Sequence, residues 1–305
     1  MKTAAGLFVL IAVGGCIPRP EAPGPATTPP PIGQPVSPPP PQTVDARIFG
    51  LNGSPQQGAL LTGTVPTGTA LLLLDSKPVR FAADGRFIIG FGRDATAVSV
   101  LEARMQDGRL LRLPLTVMPR QWDVSSLPTL YKGTTPSAAY QRLRAAESAQ
   151  IAAAYASQAD SDGWRQSFRW PATGRISTLF GSQRLYARGV AGAPHGGVDI
   201  ARPTGGAALE GTPAVAPADG VVVLATDHPF SLEGNLVIID HGFGLFSALM
   251  HLQRIDVRTG ERLQRGQAIG LIGMTGRATG PHLHWGMTWN GARIDPMRLA
   301  GPMPG

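Results

Sequence analysis

Twelve prolines fall between residues 18 and 41, including Pro29-Pro30-Pro31 and Pro38-Pro39-Pro40-Pro41. Proline lacks the amide hydrogen that helices and sheets use and fixes φ near −65°, so this stretch is expected as an extended polyproline-II spacer rather than as part of a core. At ~3.1 Å per residue such a spacer reaches on the order of 75 Å. Folded structure is thereby confined to the chain beyond about residue 45, which in a protein of 305 residues leaves room for about two domains.

Ahead of the spacer, Met1 and Lys2 give a basic start, Ala4 to Val13 an apolar run, and Gly14-Gly15 the small residues of a signal-peptidase site. The run is too short to span a bilayer. Cys16 comes next and is the sole cysteine, and Val13-Gly14-Gly15-Cys16 resembles the lipobox of bacterial lipoproteins. That resemblance implies lipidation of Cys16 and a membrane partner reached through the acyl chains, each buried methylene contributing ~0.8 kcal/mol. The expected location is the periplasmic face of a membrane. Ile17 stands where an aspartate would favour inner-membrane retention, which points to the outer membrane. A single cysteine excludes an internal disulfide and leaves imidazole and carboxylate as the ligands for any metal.

The net charge is +7, yet there is no basic run and no recognisable nucleic-acid module, so nucleic acid is not an expected partner. An anionic polymer such as a cell wall, or an acidic lipid surface, suits a diffuse basic excess.

From Asp45 to about Leu130, short β runs alternate with turn chemistry: Ala59–Thr64, Ala70–Leu74, Arg86–Phe91, Ala97–Arg104 and Leu110–Val117. Asp84-Gly85 and Asp107-Gly108 supply the positive φ that tight turns need. This segment predicts a small antiparallel β-sandwich without histidine, serving as a binding, positioning or structural module. Residues 136–159 are alanine-rich, with Tyr140, Leu143, Ile151 and Tyr155 placed on one helical face, Thr134 or Thr135 as a cap and Pro136 in the first turn. The helix is expected to pack between neighbouring domains. The organisation read from sequence is a lipoprotein signal over residues 1–16, a proline-rich linker over 17–44, a β-sandwich module over 45–130, a linking α-helix within 131–163 and a β domain over 164–300. Residues 45–163 are also the expected surface for a cell-envelope protein partner.

All six histidines, His195, His228, His241, His251, His282 and His284, lie in the last of these domains. His195 and Asp199 flank Gly196-Gly197 in a loop entering a strand, a weak signal by itself. In Gly280-Pro281-His282-Leu283-His284-Trp285, strand alternation projects His282 and His284 from one face while Leu283 and Trp285 turn into apolar packing. Two imidazoles a few ångströms apart are what a metal needs. His251, in Met250-His251-Leu252 at the end of a β run, reads in isolation as a buried core residue. Gly270 to Gly280 lacks a following Gly-Lys-Ser/Thr, so it reads as a turn with close backbone contacts rather than a phosphate loop.

Several ordered segments together resemble the M23 zinc endopeptidases of the LytM or lysostaphin type. They include 176–184, 194–200, 211–220, 234–242, Met250-His251-Leu252, 266–270 and 280–284. The resemblance covers about 125 residues and does not reach residues 1–163. It implies an antiparallel β peptidase domain with an open groove, a Zn2+ cofactor held by His195, Asp199 and His284, and catalytic roles for His251 and His282 in deprotonating the metal-bound water and stabilising the oxyanion. Which of those two is the base stays open. The substrate implied is bacterial peptidoglycan, cut at peptide crosslinks of the D-alanyl type. The alternative is a noncatalytic module that binds and activates a cell-wall amidase. His241, in a turn-like Asp-His-Gly context, reads as structural, and His228 as a surface-loop residue. Arg184 and Asn235 are read as substrate or structural residues, and Asp295-Pro296 as a closing turn.

Overall fold

The computed structural model of the protein describes residues 40–129 and 136–304. The signal segment, Cys16 and the proline-rich stretch up to residue 39 lie outside these residues, as do 130–135. The described residues form one compact unit. It is mainly β, as expected.

The N-terminal part is built from strands β1 (Gln42–Thr43), β2 (Leu60–Thr64), β3 (Thr69–Leu74), β4 (Lys77–Val79), β5 (Arg86–Gly90), β6 (Val98–Met105), β7 (Leu110–Thr116) and β8 (Val124–Leu127). Each of the five β runs read from the sequence forms a strand. Asp107-Gly108 closes the β6–β7 hairpin, with Gly108 at φ 85°. The order β1-β7-β6-β3-β4 makes one sheet, and β2 and β5 pair separately. Two details depart from the reading above. Gln42 and Thr43, assigned there to the linker, pair in parallel with Leu111 and Arg112, because the free edge of β7 offers them hydrogen bonds. Strand β5 is also buried along Phe87 to Gly90 on both of its faces, since Gly90 packs onto Trp289 and Ile294 of the C-terminal domain. That is why Phe87-Ile88-Ile89 is a continuous apolar run instead of an alternating one.

After β8 comes helix α1 (Ala138–Tyr155). Its N-cap is Ser137, whose hydroxyl accepts from the Tyr140 amide, and Pro136 lies just outside the helix. The face turned inward also differs from expectation. Leu143 is exposed, whereas Glu147 and Ala154 are buried. Glu147 accepts hydrogen bonds at 2.7 Å from the backbone and side chain of Ser231, and Arg144 bridges it to Glu233. The helix therefore docks through a satisfied ionic anchor as well as through Ile151, Ala154 and Tyr155. Among the described residues, no helix is long and apolar enough to cross a membrane.

The C-terminal domain contributes β9 (Arg175–Thr178), β10 (Gln183–Tyr186), β11 (Val190–Ala191), β12 (Gly197–Ala201), β13 (Pro213–Val215), β14 (Gly220–Ala225), β15 (Asn235–Asp240), β16 (Leu245–Ile255), β17 (Arg262–Leu263), β18 (Ala268–Ile272), β19 (His282–Trp289), β20 (Ala292–Ile294) and α2 (Met297–Ala300). Its main path runs β17-β14-β15-β16-β19-β12-β9, with every pairing antiparallel. Residues directly opposite one another in an antiparallel pair share a face. One face of this sheet carries Leu249, Trp285, Leu283 and Ile200, all fully buried, each aliphatic side chain contributing about 1.5–3 kcal/mol. The other carries Asp199, His284, Gly286 and Thr288, and beside them Ala248 and Phe246, which helix α1 covers through a Tyr155–Phe246 edge contact at 5.3 Å.

The two parts are also joined across their ends. Strand β8 pairs in parallel with β10. Gly181, at φ 80°, lies against the Trp122 ring so closely that a Cβ there would sit 2.2 Å from it. Asp295, 3% exposed, donates its amide to the Gly58 carbonyl and pairs with Arg120 at 2.8 Å. The Asp295-Pro296 turn, given no chemical role from the sequence, is a structural clasp.

Candidate metal centre

His282 and His284 leave β19 on one face because a strand alternates, and Asp199 on β12 stands directly opposite His284 in the register. His195 enters from the loop before β12, held by its amide bond to Ser182 O and its carbonyl bond from Gly181 N. The glycines after it allow close approach: a Cβ on Gly197 would lie 2.2 Å from the Trp285 carbonyl oxygen. The ligand atoms of His195, Asp199 and His284 all lie within 4.8 Å of one another.

His195 Nδ1 donates to the Leu179 carbonyl at 3.1 Å, which leaves the lone pair on Nε2. That lone pair faces Asp199 Oδ1 and His284 Nδ1, each at 3.0 Å, and His284 Nδ1 is itself 2.9 Å from the same oxygen. Three acceptor atoms turned on one another with at most one hydrogen to share repel, and a cation among them removes the conflict. Tetrahedral zinc with bonds of ~2.0–2.1 Å spaces its ligands roughly 3.3 Å apart, close to the separations here. Two imidazoles and a carboxylate fit that metal and leave a coordination position open. Burial alone would raise the Asp199 carboxyl, but the adjoining imidazoles of His195 and His284 outweigh it and hold the group well below the usual carboxylate range. Burial pushes His284 down, keeping it neutral, as a ligand must be.

His251 reaches the same face by an irregularity. In a regular strand it would share the core face of Leu249. The β15–β16 register shifts between Asn235 and Val237, and His251 takes φ 64°, a left-handed conformation rare outside glycine. Its ring comes to 4.7 Å from that of His282. Nδ1 donates to the Thr275 carbonyl at 2.9 Å, freeing Nε2 as an acceptor, and burial lowers the imidazole from 6.5 to about 4. His282 Nδ1 bonds the Gly280 carbonyl at 2.8 Å, and its Nε2 lies 3.7 Å from Asp199 Oδ1.

Asn235 holds the bulge in place, its Nδ2 donating to the carbonyls of Leu252 and Gln253, while the Thr275 hydroxyl donates to Leu252 O and accepts from the Asn235 amide. Asn235 is thus structural. The role of Thr275 was not read from the sequence, where it stands in the glycine-rich 270–280 segment without a pattern to mark it. Arg184 sits on β10, in a different sheet from the cluster. His228 is on the surface, beside Asp227.

His241 is fully buried, with Nδ1 2.7 Å from Asp219 O and Nε2 2.9 Å from Ser247 Oγ, and is structural. Burial lowers its imidazole from 6.5 to about 4. Above pH 6.5 it is neutral folded or unfolded; below that, the unfolded chain takes up a proton that the folded one refuses. Stability supplied by this group is therefore lost between pH 6.5 and 4, about 2 kcal/mol of it between pH 7 and 5. Urea unfolding of wild type and His241→Gln at the two pH values checks this: the variant's loss should be smaller, and equal losses would refute the assignment.

An antiparallel sheet thus turns two histidines and an aspartate onto one point, with two further histidines alongside, in the arrangement of a candidate metal centre. Residues 193–296 match the model of peptidase family M23. The chain is 42% identical over 129 residues to the peptidoglycan DD-endopeptidase ShyA of Vibrio cholerae, an alignment covering 42% of this chain and 28% of that protein. It is 37% identical over 110 residues to the DD-carboxypeptidase/endopeptidase Mpg of Neisseria meningitidis, covering 36% and 24%. The chain thus spans less than a third of the length of these curated relatives. A peptidase M23 crystal structure from Pseudomonas aeruginosa aligns with 84% of this chain and 97% of its own, at a TM-score of 0.61 and 27% identity. That likeness extends well beyond residues 193–296, into the N-terminal module.

Proposed function

We propose that the protein is a zinc-dependent endopeptidase that hydrolyses peptide crosslinks of bacterial peptidoglycan, those formed by D-alanyl stem peptides in particular. The observation that carries this reading is the convergence of His195 Nε2, Asp199 Oδ1 and His284 Nδ1 beside the free Nε2 atoms of His251 and His282. The names of the curated relatives support the substrate class. Zinc, when bound, polarises the scissile carbonyl and makes hydroxide available near neutral pH. The chain's own residues do the rest. His195, Asp199 and His284 would hold the cation, the Leu179 carbonyl fixes the His195 tautomer, and one of His251 and His282 accepts the proton at Nε2 while the other, protonated at Nε2, supports charge on the carbonyl oxygen.

The lipobox-like Val13-Gly14-Gly15-Cys16 and the proline-rich stretch after it support an enzyme anchored by lipid at the periplasmic face of the outer membrane, with the spacer bringing the domain to a fixed, insoluble mesh. Outward-facing parts of residues 45–163 would be the surface for a cell-envelope partner. The test is isolated peptidoglycan incubated with the zinc-loaded protein. New amino termini and a fall in crosslinked peptides are expected, and intact crosslinks with zinc bound would replace the peptidase reading with that of an amidase activator.

A further inference from the structure

A cleft of about 350 Å3 opens beside His195. It is lined by Pro194, His195 and Gly196 from the C-terminal domain, by the 92–95 loop of the N-terminal module and by Phe180. The loop reaches this position by lying along the β20 edge, where Gly92 backs onto Ala292 and the Arg293 carbonyl. A candidate metal ligand is therefore shared between the metal centre and a recess that the C-terminal domain does not complete by itself.

The charges lining the cleft are not equivalent. Arg93 pairs with Asp94 at 2.6 Å and also donates to Gly181 O and Gln183 Oε1, so it holds the loop in place. Arg293 is exposed, and its guanidinium lies along Gly196, where a Cβ would fall 2.2 Å from Nη1. It has no ion-pair partner among the described residues. It stands opposite Thr288 in the register and so shares the face of Gly286 and His284. The result is a partly apolar recess with one uncompensated guanidinium at its mouth, opening next to the position of the metal.

We propose that this cleft is a substrate subsite that takes a carboxylate-bearing part of the peptide on one side of the scissile bond, with Arg293 as its specificity-determining residue and the 92–95 loop as its outer wall. The inference rests on the peptidase reading and deepens it. A guanidinium offers a carboxylate two parallel donors, and such a bidentate pair discriminates against a neutral amide by about tenfold.

The test uses the full-length zinc-loaded protein and a crosslinked stem-peptide dimer with free carboxylates, beside the same dimer with those carboxylates amidated. Wild type should prefer the free acid by about tenfold in kcat/KM. Arg293→Gln should raise KM for the free acid by about that factor with kcat nearly unchanged, leave the amidated dimer unaffected and so abolish the preference, whereas Arg293→Lys keeps part of it. Calorimetric binding of the uncleaved dimers to His251→Ala protein, with and without Arg293→Gln, gives a second readout that needs no turnover. Cleavage of both dimers with no preference, or an equal effect of Arg293→Gln on both, overturns the subsite and leaves the peptidase reading standing. Discriminating binding without cleavage by wild type sinks the peptidase reading and keeps the subsite, and absence of both removes the two together.

Discussion

His284→Ala protein is expected to purify without zinc and without hydrolytic activity, where wild type holds about one zinc per chain. Residues that merely orient a metal ligand already cost about 10–100-fold in affinity or activity when removed, so loss of a ligand itself should exceed ~100-fold. The geometry sharpens the expectation. His284 Nδ1 is 2.9 Å from Asp199 Oδ1 and 3.0 Å from His195 Nε2, so its removal leaves two donors, too few to close a three-ligand site. Elemental analysis of wild type and variant purified side by side, with circular dichroism to confirm that both are folded, is the measurement. A variant that retains stoichiometric zinc would mean that the metal sits elsewhere, and every later step would have to be rebuilt.

The second large effect is of a different kind. His251→Ala should keep its zinc yet lose about 10²–10⁴-fold in kcat, the range for removal of a positioned proton-transfer group, with KM little changed. His251 is not one of the clustered ligand residues His195, Asp199 and His284, its ring standing edge-on to that of His284 at 6.3 Å. It is held over the site by the Thr275 carbonyl and by a backbone bend whose φ is 64°. Zinc content and kcat should therefore separate in this variant and fall together in His284→Ala. Joint loss in both would place His251 among the ligands instead.

Much of this centre was legible in the chain because it rests on short-range rules. A two-residue repeat is enough to set His282 and His284 side by side and to send Leu283 and Trp285 the other way. The β runs between residues 59 and 117 were legible for the same reason, each bounded by glycine or aspartate turns. What was hidden depends on partners far along the chain. Alternation alone would send His251 into the core with Leu249, and only the extra residue in β16, stabilised by Asn235 from β15, turns it to the site. The buried side of helix α1 was equally opaque. Its apolar residues follow no strong stripe, and the residue it buries most completely is Glu147, whose charge is tolerable only because Arg144 and Ser231 meet it. The recess beside His195 needed both parts of the fold, since neither the 92–95 loop nor Arg293 carries any local mark of the other.

The Asp295 clasp has a consequence for how the molecule assembles. Its partners, Gly58 and Arg120, are separated from it by most of the folded chain, 175 positions in the case of Arg120. Contacts of such high sequence separation close late and slowly, because the entropy of bringing distant segments together must be met before they contribute anything. The N-terminal strands consequently cannot reach their final packing until the Asp295-Pro296 turn is available to lock against them. The molecule should then melt as a single cooperative body rather than module by module.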